Sequence, residues 1–156
     1  MKKWCWYLIS IAVVVLDQAS KYWVSSTLTA YTPMPICPMF NFTLAYNTGA
    51  AFSFLSGAGE WHRWFFVGFS FLVSCILTVW LWRTPAQQRL QSIGVSLILG
   101  GAIGNLIDRA LYGYVVDFID VYYEHHHFAT FNLADTAISI GAGLLILDLI
   151  VNRDQS

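Results

Sequence analysis

Two aspartates, Asp117 and Asp135, are the residues of this chain best suited to chemistry. Each lies where an apolar segment meets the predicted surface of a membrane, and the predicted topology brings both to the same surface. Two carboxyl groups that meet in a desolvated cleft can share one proton and activate a water molecule. The pair therefore predicts acid–base hydrolysis, provided that the rest of the chain places the two groups together.

Further polar residues stand at the end of the third apolar segment. Asn105, Asp108 and Arg109 follow at offsets of three and four, so they share one helix face. Gly100 and Gly104 form a small-xxx-small pair, which allows another helix to approach closely. The face could bind or position a substrate. Alternatively, Arg109 is favourable at a helix C-terminus through the helix dipole alone, with Asp108 as its local partner.

Two other motifs have plain structural interpretations. Asn132 is a good N-cap for the fourth apolar segment with an acid, Asp135, three residues later, which is typical of a helix start without any function. Asp17 and Lys21 are four residues apart, so they can neutralise each other on one helix face.

Cofactor and metal chemistry find little support in the sequence. His125, His126 and His127 are consecutive and cannot all face one ion from a regular element, so they predict an interfacial loop. The cysteines number three and lack a CxxC spacing, so neither a disulfide framework nor a metal site is expected. The net charge is −1 without a basic run, which argues against nucleic acid.

The composition places these residues in a membrane. Hydrophobic residues make up 57% of the 156 residues, charged residues only 11%, and the mean hydropathy is positive. Four stretches are long enough to cross a bilayer. We predict a single integral-membrane domain, residues 1–156, as an all-α bundle of four transmembrane helices at about residues 4–24, 64–82, 90–111 and 131–151.

The basic residues predict the orientation of the bundle. Five basic residues lie outside the spans and on one side if the chain crosses four times, which makes both termini cytoplasmic; they are Lys2, Lys3, Arg83, Arg89 and Arg153. The N-terminal segment resembles a cleavable signal, but Asp17 stands where a small residue is wanted before a cut after Ala19. We interpret it as a retained first span. Residues 25–63 and 112–130 are then extracytoplasmic.

These two outer segments predict a small β-sheet. Apolar and polar residues alternate from 40 to 46, and a second β-rich run covers 114–123. On the second run Asp117 shares a face with apolar residues, whereas Asp120 points the other way. Asp117 is therefore the carboxyl expected on the apolar side, where desolvation raises its pKa.

Five sequence blocks resemble those of the lipoprotein signal peptidases, also called signal peptidase II, in order and spacing over nearly the whole chain. They are DQASK at 17–21, NTGAAF at 47–52, GGAIGNLIDR at 100–109, VVDF at 115–118 and FNLAD at 131–135. The resemblance implies an aspartic protease of the bacterial inner membrane, with a small sheet and an interfacial segment on its periplasmic face. It would remove the signal peptide from prolipoproteins, cutting before a diacylglyceryl-modified cysteine. It implies no metal and no cofactor, and we expect a monomer in contact with membrane lipid.

The resemblance also assigns roles to individual residues. Asp117 and Asp135 match the two catalytic aspartates. Positions that bind substrate or support the site are Asn47, Gly49, Gly101, Asn105, Arg109, Asn132 and Ala134. Asp17, Lys21 and Asp108 match polar positions with a mainly structural role.

Two other classes of protein remain as alternatives. A proton-coupled transporter would also place acids within membrane helices, but it needs ionisable residues through the depth of the bilayer, and here they cluster toward one face apart from Asp148. A non-catalytic scaffold would use Gly100, Gly104, Ala137 and Gly141 for helix packing. It would treat the acids as helix caps.

Overall fold

Four helices form the body of the protein. The computed structural model describes residues 4–49, 61–85, 87–124 and 126–153. The helices are α1 (Cys5–Thr27), α2 (Trp61–Arg83), α3 (Arg89–Tyr112) and α4 (Leu133–Arg153). Each lies close to a predicted apolar stretch, because a segment in hydrocarbon must satisfy its backbone hydrogen bonds internally.

Three helices are long and apolar enough to cross a membrane. Within the described residues they are Arg63–Arg83, Arg89–Tyr112 and Leu133–Val151. Helix α1 has 23 residues, which is sufficient length, but Asp17, Gln18 and Lys21 lower its hydropathy. The protein is thus a four-helix structure with three candidate spans, and a fourth crossing by α1 stays a prediction.

Helix α3 is the centre of the bundle and packs against each of the other three helices. Its glycines make this possible. A Cβ atom at Gly100 would stand 2.8 Å from the Ser10 carbonyl oxygen, and one at Gly141 of α4 would stand 2.6 Å from the Gly94 carbonyl oxygen. The predicted close approach at Gly100 is confirmed, and dispersion contacts between such near backbones hold helices together in lipid.

The sheet has four antiparallel strands in chain order: β1 (Met34–Cys37), β2 (Phe40–Asn47), β3 (Val115–Tyr123) and β4 (His126–His127). Strands β2 and β3 confirm the two predicted runs. Strand β1 was not predicted because Pro35 interrupts it, and proline is tolerated there because β1 lies at an edge.

The predicted histidine loop is wrong for two of its residues. His126 and His127 pair with Tyr123 and Tyr122 across a turn in which Glu124 has a φ of 54°. His125 lies outside the described residues, as do Lys2, Lys3 and residues 50–60 of the first outer segment.

Two features of the sheet position the site. The register between β2 and β3 shifts by one residue between Phe42, which pairs with Ile119, and Ala45, which pairs with Asp117. This bulge changes which β2 side chains lie on the same face as Asp117. The chain after β4 returns along β3, where the Phe131 carbonyl accepts hydrogen bonds from the N–H groups of Phe118 and Ile119 at 3.0 and 2.8 Å. The start of α4 is thereby held beside the middle of β3.

Candidate active site

Asp117 occupies the middle of β3 and is only 2% exposed. Its Oδ1 accepts a hydrogen bond from Asn132 Nδ2 at 2.7 Å, and its Oδ2 accepts one from Asn47 Nδ2 at 3.1 Å. Asn47 reaches it from the end of β2 because the bulge has turned that part of the strand toward Asp117. The carboxyl is therefore fixed by two neutral amides.

Asp135 lies in the first turn of α4. Its backbone N–H donates to Asn132 Oδ1 at 3.0 Å, and its Oδ2 accepts from the Asn132 N–H at 3.3 Å. This reciprocal pair confirms the predicted N-cap. The other carboxylate oxygen, Oδ1, accepts from Asn105 Nδ2 at 2.8 Å. Asp135 is thus a helix-start residue and, at the same time, a side chain held in a defined direction.

Both aspartates line one cavity of about 460 Å³ between the sheet and the ends of α3 and α4. Asn47, Asn105 and Arg109 line it too. The remaining lining residues are Tyr31, Ala45, Tyr46, Val115, Ala129, Thr130, Phe131, Ile138 and Ser139. The cavity therefore combines a small number of convergent polar groups with apolar walls, which is typical of a binding site for an organic substrate.

The two aspartates of the cavity influence each other electrostatically. Burial raises the pKa of Asp117 to about 7, with a further rise from the charge of Asp135, while the amides of Asn47 and Asn132 act in the opposite direction. A carboxyl that holds its proton near neutral pH can donate a hydrogen bond to a substrate. The predicted direction of this shift is confirmed.

Asp120 differs from expectation. It is also only 2% exposed, so Asp117 is not the sole buried carboxyl of β3. Burial alone would raise the pKa of Asp120, but hydrogen bonds with His127, Thr43 and Asn41 outweigh it and lower that pKa below its ordinary value. The sequence pattern missed this because two of these partners come from β2, Asn41 before the bulge and Thr43 within it.

Arg109 lines the cavity from the last turns of α3. Its Nη2 donates to the Gly49 carbonyl oxygen at 3.4 Å, and its guanidinium lies 5.4 Å from the centre of the Phe66 ring. Its positive charge acts on both Asp135 and Asp117. Asp108 forms its ion pair with Lys21 at 2.9 Å, and it acts on Arg109 only through its charge.

Lys21 is the centre of a second, buried cluster. Its Nζ lies 2.8 Å from Asp17 Oδ2, 2.9 Å from Asp108 Oδ2 and 3.0 Å from Asn105 Oδ1. The side chains of Lys21, Asp17 and Asp108 are 4%, 0% and 2% exposed. The predicted pairing of Asp17 with Lys21 is confirmed. All three ammonium protons have an acceptor, so this cation is fully used within the protein.

The buried cluster also ties separate elements together. Asp17 Oδ1 accepts from the backbone N–H of Ala134 at 3.0 Å, and Asp108 Oδ2 accepts from the N–H of Val116 at 3.0 Å. These bonds join α1 to the start of α4, and α3 to β3. A Cβ atom at Gly104 would stand 2.5 Å from Asp17 Oδ2. Gly104, and likewise Gly101 against the Ala134 carbonyl, is needed for this packing.

The sequence matches a known family over most of its length. The profile of the family described as Signal peptidase (SPase) II matches residues 9–151. The chain belongs to this family. It is a membrane-embedded signal peptidase, and the resemblance of the five sequence blocks is confirmed.

Individual relatives support the same assignment. The chain is 47% identical over 153 residues to the lipoprotein signal peptidase of Cellvibrio japonicus, covering 98% of this chain and 90% of the relative. It is 51% identical over 144 residues to that of Acinetobacter baumannii, covering 92% and 81%.

A solved structure described as a bacterial membrane enzyme superposes with a TM-score of 0.86 at 32% identity, covering 97% of this chain and 91% of its own. A second gives a TM-score of 0.80 at 34% identity, covering 93% and 92%.

Some contacts of the peptidase site were not expected from the sequence. Gln18 Nε2 donates to Asp108 Oδ1 at 2.9 Å and lies 3.2 Å from Asp17 Oδ2, so it belongs to the buried cluster. Arg63 and Phe66 contact the end of α3 beside Arg109. A single sequence carries no signal for contacts such as that of Arg63 with the Arg109 carbonyl, because the two residues are separated by 46 positions along the chain. Among the described residues no group of three or more His, Cys, Asp or Glu side chains is placed to hold a metal ion.

Proposed function

We propose that this peptidase removes the signal peptide from prolipoproteins by attack of a water molecule that Asp117 and Asp135 activate. The observation that carries this proposal is the shared cavity, in which two carboxyl groups are held by neutral amides and neither is neutralised by a lysine in direct contact. Such a pair retains its acid–base capacity. The two relatives above are both called lipoprotein signal peptidases, which supports the class of substrate.

The environment of each aspartate suggests its role. Asp135 lies at the N-terminus of α4, where the helix dipole and the Asn105 amide stabilise a carboxylate. Asp117, whose pKa is raised to about 7, carries the proton in the resting enzyme. Asp135 then takes a proton from the water as it attacks the scissile carbonyl carbon, and Asp117 donates a hydrogen bond to the carbonyl oxygen.

Collapse of the tetrahedral intermediate breaks the C–N bond. The leaving amine receives the proton that Asp135 took from the water, and the signal peptide leaves with a new carboxylate. Water is the one co-reactant that this hydrolysis consumes. Arg109 can stabilise the negative charge on the oxygen or hold the substrate backbone, since its charge acts at this end of the cavity.

The substrate proposed here carries a diacylglyceryl group on the cysteine after the cut. Its acyl chains remain in the membrane while the scissile bond reaches the cavity, whose walls extend from the sheet to Ile138 and Ser139 of α4. The enzyme acts as a monomer in the bacterial inner membrane. Its termini are cytoplasmic and its cavity faces the periplasm, as the distribution of basic residues predicts.

Cleavage of a defined substrate tests this function. Purified peptidase in detergent is mixed with a prolipoprotein peptide that carries a diacylglyceryl cysteine, in the presence of EDTA. We expect a single cut before that cysteine, as measured by mass spectrometry, and no cut in Asp117→Asn or Asp135→Asn protein. The matched control is Asp120→Asn, at a buried aspartate of the same strand outside the cavity, and it should retain activity.

Two results would overturn the proposal. Full activity in a folded Asp117→Asn protein would remove the aspartate mechanism. A well-folded wild-type enzyme that cleaves the same peptide equally well without the diacylglyceryl group would remove the lipid requirement.

A further inference from the structure

The first turns of α2 contact the last turns of α3 through two side chains on one face. Arg63 and Phe66 are three positions apart, so they project in the same direction from the helix. Both are partly buried, whereas Trp64, Phe65 and Phe69 around them are more than half exposed. These two residues therefore face the protein while their neighbours face outward.

Arg63 closes the C-terminus of α3. Its Nε donates to the Arg109 carbonyl at 3.2 Å and its Nη2 to the Ala110 carbonyl at 2.6 Å. The N–H of Gly113, a left-handed residue with a φ of 82°, donates to the same Arg109 carbonyl at 3.1 Å. The last carbonyls of a helix lack partners within the helix, and a cation there is favourable. Arg63 thereby fixes the backbone from which the Arg109 side chain extends.

Phe66 holds the side chain itself. Its ring centre lies 5.4 Å from Arg109 Cζ, within the range of a cation–π contact. Such a contact covers one face of the planar guanidinium and leaves its edges for hydrogen bonding. Of the five N–H donors, within the described residues, one bonds, to the Gly49 carbonyl at 3.4 Å. Arg109 also lines the cavity that contains both aspartates.

We propose that Arg63 and Phe66 form a clasp that positions Arg109 to bind the substrate backbone beside the aspartates. This inference rests on the proposed function of the cavity. The clasp residues do not line the cavity themselves, so they are positioning residues that act through Arg109. The arrangement gives α2 a role in the site through its packing against α3.

Aromatic substitutions separate positioning from packing. In Phe66→Leu we expect kcat/KM for the lipid-modified peptide to fall about tenfold, mainly through a higher KM, because the guanidinium loses its cation–π partner. Phe66→Tyr keeps an aromatic face and should retain nearly all of the activity. Phe71→Leu, at an exposed phenylalanine of the same helix, is the matched control and should behave as wild type.

A double-mutant cycle links the effect to Arg109. Phe66→Leu should have almost no further effect on kcat/KM in an Arg109→Gln background, because the residue that it positions is already gone. The proposal would be overturned if the fold-loss in kcat/KM of the double variant equalled the product of the losses in the two single variants. Wild-type kinetics in Phe66→Leu, or an equal loss in Phe66→Tyr, would also overturn it.

A spectroscopic measurement keeps the clasp testable apart from activity. The Arg109 Nε–H signal, assigned by its loss in Arg109→Gln, should be shifted by the ring current of Phe66 in ¹⁵N-arginine-labelled protein. The shift should vanish in Phe66→Leu and persist in Phe66→Tyr. If the wild-type enzyme fails to cleave the peptide, the proposed function fails, whereas an Arg109 signal that Phe66→Leu leaves unmoved refutes the clasp itself.

Discussion

Two pairs of aspartates lie at the same end of the bundle and have opposite surroundings. Asp17 and Asp108 share the ammonium of Lys21 at 2.8 and 2.9 Å in a site almost closed to solvent. Asp117 and Asp135 line a cavity of about 460 Å³ and are held by the amides of asparagines. Asn105 touches both groups, since its Oδ1 accepts from Lys21 and its Nδ2 donates to Asp135.

This difference shows how one polar region can separate structure from chemistry. A carboxylate that is paired with a lysine and accepts hydrogen bonds from backbone N–H groups has its oxygens occupied within the protein, so it links helices rather than facing a substrate. A carboxyl held by neutral amides keeps its orientation without a compensating positive charge in direct contact. Its pKa can then lie near neutral pH, as it does for Asp117, whose pKa is raised to about 7.

The largest expected effect separates the pairs by activity. Asp117→Asn and Asp135→Asn should each reduce cleavage by at least about 10³-fold, because the acid–base pair acts as a unit. Their unfolding temperatures in detergent should remain near that of the wild type, since asparagine keeps the shape of the side chain. A folded variant with more than a tenth of wild-type activity would show that the cavity pair is not the reacting pair.

Substitutions in the Asp17–Lys21–Asp108 cluster should mainly lower stability, whereas those at Asp117 and Asp135 mainly lower activity. Lys21→Met leaves two carboxylates buried without their cation and should cost about 3–5 kcal/mol of unfolding free energy, measured by denaturant titration in mixed micelles. Lys21→Met combined with Asp17→Asn and Asp108→Asn removes the stranded charges and should recover much of the loss. If Lys21→Met alone leaves stability unchanged, the cluster has no role in holding α1 to α3.

Close packing around the buried pair can be tested at a glycine. Gly104→Ala places a methyl group 2.5 Å from Asp17 Oδ2, so the carboxylate must move away from Lys21. We expect a loss of about 1–3 kcal/mol, as in other overpacked sites. Gly68→Ala and Gly143→Ala are matched controls on other helices, where nothing lies within 4 Å of the new Cβ. These controls should be neutral or slightly stabilising because alanine favours helices.

The pH dependence of activity tests the protonated state of Asp117. With a pKa of about 7, loss of its proton should lower kcat/KM as the pH rises through neutrality. The Asn47 amide lowers this pKa, so Asn47→Ala should move the alkaline limb upward by about half a pH unit or more. Asn41→Ala, on the same strand but beside Asp120, should leave the limb in place.

The same proton has a consequence for stability that runs in the same direction with pH. The folded protein binds it more tightly than the unfolded chain, in which an aspartate has its ordinary pKa of 3.8, so protonation favours the folded state. This contribution is full below a pH of about 3.8 and is lost as the pH rises to about 7. Asp117→Asn, which has no such carboxylate, should therefore be at least as stable as wild type at a pH of about 8, above both values. A clear drop in its melting temperature at that pH would contradict this assignment.

Much of the architecture could be predicted from residue patterns. The apolar stretches located all four helices, because a run of such length has few other stable conformations in a bilayer. The alternation at 40–46 located β2. The short strands β1 and β4 were missed, since Pro35 and consecutive histidines give no alternating pattern. Whether α1 crosses the membrane stays a prediction, because Asp17 and Lys21 lower its hydropathy, and their burial depends on pairing with each other and with Asp108.

The sequence by itself determined the helices, the two main strands, the N-cap at Asn132 and the candidate aspartates, because these depend on periodicity and short spacing. Only the tertiary structure decided the long-range partners of the acids. Asp108 forms an ion pair with Lys21 rather than with Arg109, and Asp120 is buried with hydrogen bonds to polar side chains such as Thr43. A bulge in β2 brings Asn47 within hydrogen-bond distance of Asp117. Such pairings join residues far apart in the chain, so they depend on register and helix packing that no local pattern specifies.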